Sequence, residues 1–152
     1  MLSLLRRNRE IRLVFAAQVI SYLGDWFTFV ALAGLVEDLT GSKFLVSLVL
    51  VSFTLPAFFT SPIAGAMADR YDRRRIIIVV SLGQGLAALS MLLVTDSRVW
   101  LAFVAQSVIS GLGAFVRPAS EAAIPNLVDN DEDLRTANSV FGSTWGVMLA
   151  LG

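Results

Sequence analysis

The chain has 152 residues, of which 56% are hydrophobic and only 16% charged, and its basic and acidic side chains cancel to a net charge of zero. A soluble domain carries roughly 25% charge, so this balance, with a mean hydropathy of +0.73, excludes an ordinary soluble fold. The lack of any cysteine or histidine removes disulfides, thiolate metal sites and the usual base at neutral pH, so no metal, no cofactor and no enzymatic chemistry is expected.

Weakly charged apolar stretches predict helices over approximately 13–36, 44–68, 76–95, 99–117 and 134–152. A bilayer core takes about 20 helical residues, with a range of about 17 to 25. Apolar and polar residues nowhere alternate over about ten positions, as a membrane barrel requires, and backbone amides in lipid need internal partners, so the spans are helical. The expected fold is an all-α membrane protein of about five transmembrane helices, forming one partial N-terminal transmembrane domain over 1–152. Met1 to Arg12 resembles the charged region of a signal peptide, but the 24-residue apolar stretch that follows exceeds the roughly 7–15 residues of cleaved signals, which predicts a retained first span.

The basic residues give the expected orientation. Arg6, Arg7, Arg9 and Arg12 precede helix 1, Arg70, Arg73, Arg74 and Arg75 join helices 2 and 3, and Arg117 and Arg135 flank the connection between helices 4 and 5. Lys43 and Arg98 fall on the opposite side. The positive-inside rule then predicts a multi-pass protein of the cell inner membrane with its N-terminus in the cytoplasm. The outer connections, Glu37 to Lys43 and Asp96 to Arg98, are short, whereas the inner connection from Pro118 to Arg135 contains Asn130-Asp131-Glu132-Asp133. There Asn130 is a candidate N-cap, followed by three acids suited to the first turn of a helix.

Helix 1 carries the one carboxylate inside a span, Asp25. At 3.6 residues per turn Gln18, Ser21, Tyr22, Asp25 and Thr28 share one face, a polar stripe expected to meet a water-filled cavity or a protein neighbour. A carboxylate near mid-bilayer costs roughly 2.5 to 3.5 kcal/mol on insertion scales, which makes this stripe a candidate for handling protons, cations or solute. The alternative is a neutral carboxyl hydrogen-bonded to an adjacent helix. Helix 2 contains Pro56 and Pro62 with Ser61 and Gly65, which predicts a bent or closely packed helix. Helix 4 pairs Ser107 with Gly111 and Ser110 with Ala114 at the four-residue spacing of close helix packing. In helix 3, Ser81, Gly83, Gln84 and Gly85 fit either packing or cavity lining.

Between helices 2 and 3 runs Gly65-Ala66-Met67-Ala68-Asp69-Arg70-Tyr71-Asp72-Arg73-Arg74-Arg75. Gly65 and Ala66 are expected to permit tight packing at a helix end, and Asp69 to accept charge-assisted hydrogen bonds from Arg73 or from a helix N-terminus. The arginines would hold the segment at an anionic leaflet. A purely topogenic arginine cluster would look similar in composition.

The order of residues, however, resembles the signature loop of the major facilitator superfamily of transporters: Gly, two variable positions, Ala, Asp, Arg, a variable residue, Gly, then two basic residues. The chain follows it from Gly65 to Arg74 with Asp72 in place of the second glycine. That departure is similar to one branch, the drug and solute exporters of the proton-antiporter type that include macrolide and siderophore exporters. Its helix 1 resembles Gln18-Val19-Ile20-Ser21-Tyr22-Leu23-Gly24-Asp25-Trp26 and its first outer loop Asp38-Leu39-Thr40-Gly41-Ser42. Arg117-Pro118-Ala119, Ile124-Pro125 and Ala137-Asn138 resemble it too. The arginine that many antiporters carry four residues before the glycine matching Gly111 is replaced by Ser107.

The resemblance implies a secondary active exporter of drugs or other small amphipathic solutes, driven by proton exchange. Its partners would be the solute, protons and the lipid bilayer, with no nucleic acid. It implies Asp25, Gln18, Ser21, Tyr22 and Thr28 as proton- or substrate-coupling positions, and Gly65, Asp69, Arg70, Arg73 and Arg74 as a cytoplasmic gating loop. Members have twelve helices in two halves, so the chain reads as an N-terminal fragment, inactive without a C-terminal half. The alternative is a small membrane interaction protein or subunit that transports nothing.

Overall fold

In a medium without water the backbone is driven into helices along every apolar stretch, and individual residues decide where each helix starts and stops. The computed structural model describes residues 7–128, 132–139 and 142. Helix α1 spans Arg9–Thr40, α2 Lys43–Arg70, α3 Arg73–Ser90 and α4 Trp100–Ala123, and a further helix, α5, covers 132–139. Helices α1 and α2 and the stretch Arg73–Leu93 are long and apolar enough to cross a membrane, and α4 contains a shorter apolar helix, Trp100–Val116. Among the described residues there is no strand, and the fold class is an all-α membrane protein. Most of the span expected at 134–152 lies outside the described residues, as does Asn130, the expected N-cap.

The boundaries follow from caps. Asn8 accepts the backbone N–H groups of Glu10 and Ile11 through Oδ1, at 3.0 and 3.1 Å, and so starts α1 a turn before the apolar stretch begins. The other end of α1 also runs a turn past Val36, to Thr40, where Gly41 at φ +61° donates its N–H to the Glu37 carbonyl at 2.8 Å. This left-handed C-terminal stop leaves only Gly41 and Ser42 before α2, because the Ser42 hydroxyl accepts the Leu45 N–H at once. Helix α3 ends earlier than the expected 95. Its last turn tightens to a 3₁₀ turn at Met91–Leu93, and a second such turn, Asp96–Arg98, leads into α4.

The chain forms two compact units, one of residues 1–27 and 120–152 and one of residues 28–119, with α1 contributing to both. In the first unit Ile11, Ile124 and Ala137 are fully buried together, flanked by Val14, Phe15 and Leu134. Asn8, besides capping α1, donates Nδ2 to the Leu127 carbonyl at 2.5 Å, and Arg7 pairs with Asp133 of α5. The start of α1 is thereby tied to the segment that follows α4. In the second unit Leu32 and Val36 of α1, Val49 of α2 and Ala102 of α4 make one core, and Ile76 and Val80 of α3 pack on Leu112, Phe115 and Val116 of α4 in another. The Phe29 and Phe53 rings meet at 5.3 Å between centroids. Few other large side chains are covered: Phe58, Phe59, Leu82, Leu86 and Leu92 all point outward, as the lipid-facing surface of membrane helices does.

Candidate functional site

Polar side chains in an apolar span can bond to their own helix, as Thr54 and Ser61 do, bond to a neighbouring helix, or remain available; the last two groups bear on the site. The first of these two joins α2, α3 and α4. Pro56 has no N–H to give, so the α2 ladder is weakened in that turn, and the Phe53 carbonyl there accepts the Ser110 hydroxyl of α4. One turn on, Thr60 Oγ1 lies 2.9 Å from the Pro56 carbonyl and 3.0 Å from the Gly111 carbonyl, so its single proton serves both helices. Gln84 of α3 donates Nε2 to the Ile109 carbonyl at 3.0 Å. Such bonds average about 0.6 kcal/mol each in membranes. Small residues bring the backbones this close: a Cβ on Gly111 would already touch Pro56 and Thr60 at 3.6 Å, and one on Gly83 would meet Leu112 Cδ1 at 2.8 Å. Of the two readings left open for helix 3, Gln84 and Gly83 follow packing.

The second group lies on α1. Gln18 Nε2 donates to the Tyr22 hydroxyl at 3.2 Å, the one hydrogen bond within the polar stripe among the described residues. Ser21 is exposed, Tyr22 and Asp25 are half-buried, and Thr28 falls three residues beyond Asp25, where the second unit begins. The Asp25 carboxylate has neither an ion pair nor a hydrogen bond among the described residues. The carboxylate in the middle of a long apolar helix is therefore chemically uncommitted among the described residues.

The signature segment is built differently from a loop. Gly65 to Arg70 are the last turns of α2 and Arg73 begins α3, so only Tyr71 and Asp72 are outside helix. Tyr71 closes α2 with its N–H on the Met67 carbonyl at 3.0 Å, and Asp72 opens α3 by accepting the Arg75 N–H at 2.9 Å. Asp72, where the superfamily pattern has glycine, is thus an N-cap. Replacing it with alanine is expected to cost about 1 kcal/mol and with glycine only a few tenths; thermal unfolding of the purified protein in detergent, with Asp72→Ala melting below Asp72→Gly, checks this.

Two expectations for the segment need correction. A Cβ on Gly65 would find no atom within 4 Å among the described residues, so the expected tight packing at that helix end is not seen there. Asp69 and Arg73 lie on different helices and form no ion pair among the described residues. Asp69, Arg70 and Arg74 are exposed and Arg73 half-buried.

Sequence reasoning missed Gln106. It is 1% exposed, and its Oε1 has no donor among the described residues. Its signal was available: one turn before Ser110 it sits on the face of α4 that carries Ala102, Ala105 and Ile109, all buried. Asn8 was missed too, although an asparagine directly before a helical stretch is a common start signal. No group of three or more candidate metal ligands occurs among the described residues.

Comparison with known proteins places these features in a family. Residues 14–152 match the Major Facilitator Superfamily, and the chain belongs to it, a family of membrane transporters. It is 31% identical over 153 residues to the uncharacterized MFS-type transporter YfiS of Bacillus subtilis, covering 94% of this chain and 36% of that protein. It is 29% identical over 154 residues to the multidrug efflux pump Tap of Mycolicibacterium fortuitum, covering 97% of this chain and 37% of Tap. The chain spans about a third of the length of these relatives. No solved structure matches it.

Proposed function

We propose that the chain belongs to a proton-coupled exporter of small amphipathic solutes, in which Asp25 takes and releases the coupling proton. The observation that carries this reading is the Asp25 carboxylate, held on a long apolar helix beside Gln18, Ser21 and Tyr22 and without a partner among the described residues. Ionisable groups at that depth are costly and face cavities or partners. Export as the direction rests on the likeness to Tap, which is named a multidrug efflux pump. Gln18, Ser21, Tyr22 and Thr28 would offer the solute hydrogen-bonding groups along an apolar wall, the composition of a broadly selective pocket.

Transport in such proteins alternates between two access states around a midplane site. Asp69 and the half-buried Arg73, with the exposed Arg70 and Arg74 beside them, would latch one of these states by pairing with the remainder of the full-length protein. Gly65 would allow that remainder to approach, since the space around it is open in this chain. The cluster is proposed to face the cytoplasm, because ten of the twelve basic residues fall on its side.

Full-length protein in everted vesicles is expected to accumulate a fluorescent amphipathic solute when an inward-acid pH gradient is imposed and to stop when the gradient is collapsed; accumulation indifferent to the gradient would remove proton coupling. Orientation is read separately by cysteine labelling, since the chain has no native cysteine. Ser42→Cys in intact cells should react with a membrane-impermeant maleimide and Asn130→Cys should not. The reverse pattern would invert the proposed sidedness.

A further inference from the structure

The second unit contains a groove of about 350 Å³ that neither the hydrogen-bonded seam nor the polar stripe of α1 uses. Its lining includes Val79, Leu112 and Phe115 and, from the junction of α2 and α3, Tyr71, Asp72 and Arg75. We propose that this groove holds one acyl chain of an anionic phospholipid, with the lipid phosphate seated on Arg75, the arginine that lines it.

The groove lies along a helix that crosses the membrane, and Val79 in its wall is 68% exposed. Where such a wall faces the bilayer, an apolar hollow beside it fills with a lipid tail, because tail atoms recover the dispersion contacts an empty space would forfeit. The volume falls within the roughly 300–1,000 Å³ of ordinary ligand sites. Charge selects which lipid. Between Asp69 and Arg75 four arginines face two aspartates, and none of the four forms an ion pair among the described residues. One of the two acids is already engaged, because Asp72 accepts the Arg75 N–H that starts α3. The guanidinium groups, and not the helix end, therefore remain to attract an anion, and they match phosphate in a planar, two-pronged way. Arg75 and Val79 are one turn apart on α3, about 6 Å along the axis. A phosphate at the level of Arg75 thus places the glycerol and first methylenes beside Val79, at the groove.

Native mass spectrometry of the full-length protein in mild detergent tests this with phosphatidylglycerol and phosphatidylcholine of identical acyl chains. Phosphatidylglycerol is expected to be retained several-fold better, and glycerol 3-phosphate, which has the anion without the tail, should not displace it. Arg75→Gln should abolish the preference. Val79→Trp, which fills the groove at an exposed position and leaves every charge in place, should lower phosphatidylglycerol retention by a similar factor. Retention unaffected by Val79→Trp would mean diffuse attraction to the arginines and overturn the groove, and equal retention of the two lipids would overturn the anionic choice. A phosphatidylglycerol with a photoreactive mid-chain group supplies a readout on the unmodified protein. It should label peptides containing Val79 and Phe115; labelling confined to other peptides would show that another part of the protein covers the groove and would overturn the proposal.

Discussion

Full-length protein carrying Asp25→Asn is expected to lose proton-driven efflux, falling to the background of vesicles without transporter, while its amount in the membrane and its elution from a sizing column stay unchanged. The substitution is nearly isosteric, keeps hydrogen-bonding capacity and removes only the ability to exchange a proton, so it separates coupling from folding. Within the chain the carboxylate has no partner among the described residues that the change could orphan, so no large structural penalty accompanies it. Downhill solute exchange, which needs the two access states but no proton, should survive. Asp25→Glu should recover part of the coupled rate. Coupled efflux at the parent rate in Asp25→Asn would sink the assignment, and loss of both coupled and downhill movement would recast Asp25 as a group needed for solute binding or folding.

The second large effect is expected at the seam between α2 and α4. Gly111→Leu should lower the stability of the purified protein by about 2 to 4 kcal/mol, combining overpacking with the loss of two interhelical hydrogen bonds. A Cβ at this position is already in contact with Pro56 Cβ and Thr60 Cγ2 at 3.6 Å. Alanine fits at that distance, but a leucine adds three carbons beyond a Cβ already in contact with Pro56 and Thr60. Helix α2 would have to move away, breaking the Thr60 bond to the Gly111 carbonyl and the Ser110 bond to the Phe53 carbonyl. The check is the temperature at which half the protein stays monodisperse after heating in detergent: Gly111→Leu well below the parent, Gly111→Ala close to it. Gly65→Ala is the control, since a Cβ there meets nothing within 4 Å. Equal losses at both glycines would mean that helix backbone effects, and not the seam, set stability.

Family and class were legible before any coordinates, and for different reasons. Transfer of a stretch such as Phe44 to Ala68 into lipid is a sum over its own side chains, so hydropathy identifies the helix wherever its neighbours lie. The order of residues from Gly65 to Arg74 carried the superfamily independently of composition. Asp25 stood out because an ionisable side chain in a span is rare enough to be read singly. The sequence did not reveal which small and polar residues serve packing. Gly65 and Gly111 look alike in a list of helical glycines, yet one borders open space and the other a proline and a threonine. Gln84 and Gln106 are both amides in apolar helices, yet one bonds across to α4 and the other keeps a buried oxygen without a donor. These distinctions depend on the rotation and separation of helices far apart in sequence, which no local pattern encodes. The caps stand between the two cases: Asn8 and Asp72 act on N–H groups two or three residues away and were in principle readable. That Asn8 also binds the Leu127 carbonyl and that Arg7 reaches Asp133 was decided only when the folded chain brought those segments together.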